Sequence, residues 1–163
     1  MGLELPGELA DLLNELGYTW PESDETRLLE LGQSWISFSD TLNQLGQDAE
    51  QTARSALSTY HGDAIEAFQA KWSAGRSAAS VLHDSVAGAQ LLGAGLVVCA
   101  GVVLALKINV IVQLTILAAE IIQALATAPE TFGASLLEVP VFKKLTDMAI
   151  NLLISQALEV ILE

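Results

Sequence analysis

Cysteine, histidine and basic side chains are all scarce in this chain, and each scarcity closes a class of function. The single cysteine, Cys99, rules out an intrachain disulfide, and its place in an apolar run is that of a small packed hydrophobe. Two histidines, His61 and His83, lie 22 residues apart with no cysteine or carboxylate at metal-ligand spacing, so no metal site is expected. Gly93, Gly95 and Gly101 sit inside an apolar stretch and fit no phosphate loop, and the carboxylates recur on polar helix faces without a setting for acid–base work. No catalytic residue and no cofactor is expected. Seven Lys and Arg stand against twenty Asp and Glu, a net charge of −13. The acid is concentrated early: Met1 to Asp84 carries fourteen acidic and four basic residues, Ser85 to Glu163 six and three. Such a surface repels phosphate backbones and anionic headgroups, which argues against nucleic acid and leaves a protein as the expected partner. The N-terminus lacks a basic region followed by an apolar core, so it does not read as a Sec-type signal peptide.

Prolines are few and mark boundaries. Pro6 suits a first helical turn and Gly17 a C-terminal cap, predicting a short amphipathic helix over Gly7–Leu16. Trp20-Pro21 holds the chain extended, and Ser23 or Asp24 caps a long helix over about 24–59. Its apolar residues, Leu28, Leu31, Trp35, Phe38, Leu42, Leu45, Ala49, Thr52 and Ala56, alternate three and four apart. A second set, Ile65, Phe68, Trp72, Gly75, Ala79, Leu82 and Val86, does the same. Between them Tyr60-His61-Gly62 reads as a hairpin tip, with Gly62 left-handed and Asp63 and Glu66 placed for a capping box.

These features predict an all-α chain: one domain over 1–163, a long antiparallel hairpin over about 24–59 and 64–104, and further helices over about 108–127 and 140–162. Ser85–Leu106 is free of charge and long enough to span a membrane, and Ile108–Ala128 is apolar on nearly every face. Lys107 and Glu120 inside the apolar region, and the lack of a basic flank, favour a bundle centre over lipid. Ser85–Ala128 is expected to be covered mainly by protein, with Pro140–Leu162 packed against it. The apolar helical pattern at Ile161-Leu162-Glu163 suggests a domain cut from a longer polypeptide. Tyr60, Phe68 and Trp72 lie around the tip, either filling the hairpin core or also framing a groove for a partner.

The chain resembles the Trp-X-Gly hairpin proteins of type VII secretion, most closely the N-terminal domain of actinobacterial polymorphic toxins and of the mycobacterial channel-and-necrotizing toxin. The resemblance rests on Met1-Gly2-Leu3-Glu4-Leu5-Pro6, on Tyr18-Thr19-Trp20-Pro21-Glu22-Ser23-Asp24-Glu25, on the turn followed by Phe68 and Trp72, on the Ala/Gly/Val segment, and on Thr131-Phe132-Gly133 with Pro140. It implies a non-catalytic N-terminal module that brings a toxin or effector into a non-Sec, type VII-like export route. Tyr60, Gly62, Phe68 and Trp72 are then candidates for a secretion or partner motif. The implied partner is a small helical protein of the same kind, the secretion machinery or a second copy. The turn has Tyr60 where the family has Trp, and no Tyr-x-x-x-Asp/Glu follows Trp72; Tyr18 to Glu22 fits those letters in a connection. Two rival readings are a membrane-inserting or channel-forming module using Ser85–Leu106 and a structural or dimerisation bundle.

Overall fold

The computed structural model describes residues 2–162; Met1 and Glu163, which open and close stretches read above, lie outside them. Five α-helices follow one another: α1 (Gly7–Glu15), α2 (Glu25–Thr59), α3 (Asp63–Trp72), α4 (Ala78–Thr127) and, after a 3-10 turn at Ala134–Glu138, α5 (Val139–Leu162). There is no strand among the described residues. The all-α hairpin architecture is as the periodicity predicts. Asp24 caps α2, its Oδ1 accepting from the Arg27 amide at 3.1 Å. Pro140 falls in the first turn of α5.

Two helix boundaries differ from expectation. The helix expected over 64–104 breaks after Trp72 and restarts at Ala78, because Ser77 caps α4: its Oγ accepts from the Ser80 amide at 3.1 Å. Gly75, read as part of the apolar seam, sits in the break, where it carries no helical penalty. The expected separation between 104 and 108 is absent, and α4 runs unbroken through Lys107. The capping box at α3 is not formed either. Gly62 takes the cap position with φ +118° and ψ 171°, and its carbonyl accepts from Ile65 and Glu66 at 2.9 and 3.1 Å. Asp63 and Glu66 lie instead in the first turn, favourably placed toward the positive end of the helix dipole.

The chain groups into two compact units, Leu28–Val98 and Met1–Arg27 with Cys99–Glu163. In the Leu28–Val98 unit, α2 runs antiparallel to α4: Gly32 lies against Gly93, and Gly46 against Leu82. The buried side of α2 is not the stripe of large residues that the sequence suggests. Gly32, Ser39 and Ala53 are buried, and Gly46 is half-buried on the same seven-residue repeat, whereas Leu31, Phe38 and Leu45 are exposed. Small residues win that side because the backbones approach closely. A Cβ on Gly32 would stand 2.9 Å from the Gly93 carbonyl oxygen, and one on Gly93 2.8 Å from that of Gly32. On α4 the facing residues are Ala79, Leu82, Val86, Ala89, Gly93 and Leu96, again alternating three and four apart.

In the other unit, α4 continues that alternation at Ala100, Val103, Lys107, Val110, Leu114, Leu117, Ile121 and Ala124. Leu13 of α1 and Ile150 of α5 close on Val110 and Leu114, with Leu5, Leu9, Tyr18 and Trp20 around them. So α5 does pack on α4, but Ser85–Ala128 is not covered mainly by protein. Of the most apolar 18-residue stretch of α4, 17% is buried, and of that spanning the 3-10 turn and α5, 11%. Both helices are long and apolar enough to cross a membrane. Cover fails because only one side of α4 has neighbours, while its apolar residues extend round the helix.

Gly32→Leu and Gly93→Leu should each lower stability by about 1–3 kcal/mol through overpacking against backbone. Gly46→Ala should be tolerated, since its Cβ would meet Leu82 at an ordinary 3.6 Å. Gly62→Val should cost more than about 1 kcal/mol, its φ and ψ being almost exclusive to glycine. Thermal melts followed by far-ultraviolet circular dichroism compare the four.

Candidate interaction site

The hairpin tip is built from the end of α2 and the start of α3. The Tyr60 amide still donates to Ala56 at 3.0 Å, and the chain then reverses at His61-Gly62. The Tyr60 ring is left 61% exposed. It borders a shallow cleft of about 470 Å³ along the outside of α2, with Thr52, Ala56 and Thr59. Phe68 and Trp72, one helical turn apart on α3, do come together, with ring centroids 5.6 Å apart and planes tilted by 32°. Trp72 is half-buried, and its indole Nε1 donates to Glu50 Oε2 at 2.8 Å, tying the end of α3 to α2. The hydrogen bond from Trp72, then that from Arg54 at 2.9 Å, holds the Glu50 carboxyl below its usual range. Of the four residues singled out by sequence, Gly62 shapes the turn, Trp72 anchors α3, and Phe68 and Tyr60 present ring surface to solvent. Tyr60 shares no ring contact with the other two among the described residues.

Farther from the tip, a cleft of about 600 Å³ lies along α2 and α4, walled by Leu42, Gly46, Ala49, Leu82 and Val86, with His83 among its lining residues. His61 and His83 are both exposed. Among the described residues, no group of three His, Cys, Asp or Glu side chains is placed to hold a metal ion.

The Met1–Arg27 and Cys99–Glu163 unit contains a polar site that the sequence left half-read. Lys107, the one charge on the buried side of α4, is 2% exposed. Its Nζ donates to Glu25 Oε2 at 2.8 Å and to the Ser23 carbonyl at 2.7 Å, and lies 5.7 Å from the centre of the Trp20 ring. The other Glu25 oxygen accepts from the Leu3 amide, and the Leu3 carbonyl accepts from Trp20 Nε1 at 3.3 Å. Gly2 fits here for lack of a side chain, since a Cβ would stand 2.7 Å from Glu25 Oε2. Burial by itself would raise the Glu25 pKa. The hydrogen bonds from Lys107, Leu3 and its own amide, with the lysine charge, outweigh burial and hold it at about 2. Tyr18, at the start of the connection, is tied to α5, its hydroxyl donating to Asp147 Oδ1 at 2.6 Å. Burial first, then Asp147, raises its pKa to about 12. A lone lysine on an apolar heptad side was the sequence signal that a buried acid must exist; nothing in the spacing said which.

Glu25→Gln leaves Lys107 buried without a countercharge and should cost about 3 kcal/mol, as should Lys107→Met, while the double variant recovers part of the loss. Because the folded Glu25 pKa lies below the unfolded one, its contribution is fully present above pH 4.5 and is lost as pH falls toward 2. Tyr18 has the opposite sign: its contribution holds below pH 10 and is lost as pH rises toward 12. Melting midpoints of wild type and Glu25→Gln across pH 2–6 should converge at the acid end.

No curated protein and no solved structure matches the chain. Residues 4–144 match the sequence pattern of the WXG100 like domain, a stretch that takes in the tip, the buried ion pair and the start of α5. With an antiparallel α2–α4 hairpin, a glycine-turned tip and an aromatic pair just beyond it, the chain belongs to the WXG100-like domain family, helical proteins related to type VII secretion.

Proposed function

We propose that this chain is a non-catalytic export module that carries a toxin or effector domain into a type VII secretion route, with the hairpin tip as its recognition surface. The observation that carries the reading is the family match over residues 4–144 on a hairpin whose tip exposes Tyr60 and Phe68. Rings held on a turn and on a short tethered helix lose little side-chain entropy on contact, which suits them to be anchors. Trp72 acts by positioning, since its indole bond to Glu50 sets where Phe68 stands.

The partner in this reading is a small helical protein, ahead of the secretion machinery itself or a second copy. Support comes from Leu31, Phe38 and Leu45 of α2, exposed and seven residues apart, with Trp35 meeting Phe38 edge-on at 5.8 Å. That repeat is the pattern a third helix packs on. The acidic surface fits a partner with basic flanks.

Tyr60→Ala and Phe68→Ala variants, fused to a reporter and checked for unchanged helicity and melting, should lose most secretion in a cell with its type VII ATPase. Neither variant should alter the export seen without the ATPase. Unchanged secretion by the folded variants, or wild-type export that persists without the ATPase, overturns the proposal.

A further inference from the structure

We propose that the first half of α5 and the turn preceding it dock onto a zwitterionic phospholipid bilayer, with Phe132, Leu137 and the apolar side formed by Val141, Leu145, Met148 and Leu152 entering the hydrocarbon. This goes beyond the export reading and does not depend on it.

Charge placement comes first. The N-terminal segment satisfies the ionisable groups on the inner side of the helix pair: Glu25 takes Lys107, Glu15 pairs with Lys143, and Tyr18 bonds to Asp147. Glu120 lines a small polar cavity with Gln123, Ser135 and Glu138 instead of standing on a bare side. What remains outward along the first half of α5 is mainly Val141, Leu145, Met148 and Leu152, spaced four, three and four apart and all exposed, whereas Ser155, Gln156 and Glu159 make the same side polar farther on. Lys144 borders a shallow depression with Pro140, Val141, Leu145 and Met148, where its long stem can lie on lipid while the ammonium reaches the headgroups.

The extent of bare surface favours lipid over a protein partner. On α4, Ile108, Val112, Ile116, Ile122 and Leu125 are exposed. At 100° per residue they spread over an arc of about 180°, wider than the roughly 100° stripe that one packed helix covers. Hydrocarbon wets such a surface from all sides. The turn between α4 and α5 adds a wedge: Phe132 is 100% exposed and holds φ at +53°, a left-handed value unusual for a phenylalanine, with Gly133 following at +84°. Leu137, five residues after Phe132, is also bare. The unit that carries this side, Met1–Arg27 with Cys99–Glu163, holds thirteen acidic against four basic residues, which selects against anionic headgroups, hence the zwitterionic surface.

Flotation of the full chain with phosphatidylcholine vesicles tests this without any secretion machinery. Wild type should float with the vesicles, and should float less with vesicles rich in phosphatidylglycerol. Phe132→Ser/Leu137→Ser and Met148→Ser/Leu152→Ser change only exposed positions and should retain helicity. Each should bind at least about tenfold less, the loss expected when two large apolar side chains no longer leave water. Wild type that stays at the bottom of the gradient overturns the proposal, as do variants that float equally well. A dimer that forms without vesicles and is dissolved by the same substitutions also overturns it, assigning the bare side to a second copy.

Discussion

A lysine ammonium buried against a single glutamate is the constraint around which the Met1–Arg27 and Cys99–Glu163 unit is arranged. Taking both ions out of water costs several kcal/mol each, and the cost is offset only where every remaining polar position is filled. Glu25 meets that condition with one oxygen on Lys107 and the other on the Leu3 amide, and Lys107 with a second bond to the Ser23 carbonyl. The pair thereby fixes the path of the chain from Leu3 to Glu25. Trp20 lies near the ammonium, the Leu3 carbonyl is held by its indole, and α1 is delivered onto Val110, Leu114 and Ile150. Nonspecific apolar contact could hold α1 in several registers; an ion pair with one geometry holds it in one.

In the Leu28–Val98 unit the corresponding constraint is distance. Gly32 and Gly93 meet backbone to backbone, and with Ser39, Gly46 and Ala53 they let α2 and α4 approach without interlocking large side chains. Stability there comes from close backbone contact and dispersion more than from area removed from water. The same arrangement turns Leu31, Phe38 and Leu45 outward.

Much of this was legible in the sequence. Three-and-four spacing on both sides of Tyr60-His61-Gly62 gave the hairpin, and Pro6, Pro21 and Pro140 placed ends of helices. The inner side of α2 was misread because Leu, Phe and Leu at 31, 38 and 45 outweigh Gly, Ser, Gly and Ala one position along in any hydrophobicity count, yet close helix approach prefers the smaller set. The break at 73–77 was missed because Ser77 announces a cap only with a backbone amide to receive it. Lys107 argues from sequence for a protein-covered position over lipid, but its partner lies 82 residues away in sequence and no local pattern reports such a pairing. At the tip, Gly62 was legible from turn chemistry alone, whereas the division of labour between an anchoring Trp72 and the outward Phe68 and Tyr60 depends on where Glu50 stands.

Helix α3 contains no buried residue, and an indole–carboxylate bond is its clearest tie to α2. Ten residues are too few to hold a helix in water by themselves. Its amides are accordingly among the first to exchange with solvent, through openings that leave the close α2–α4 contact untouched. A protein that grips Phe68 has to order this segment as it binds, and some of its affinity is consumed in doing so. Occupancy of the tip is thus thermodynamically the same event as closure of α3, and a change as remote as Glu50 is felt as a change in how tightly the tip is held.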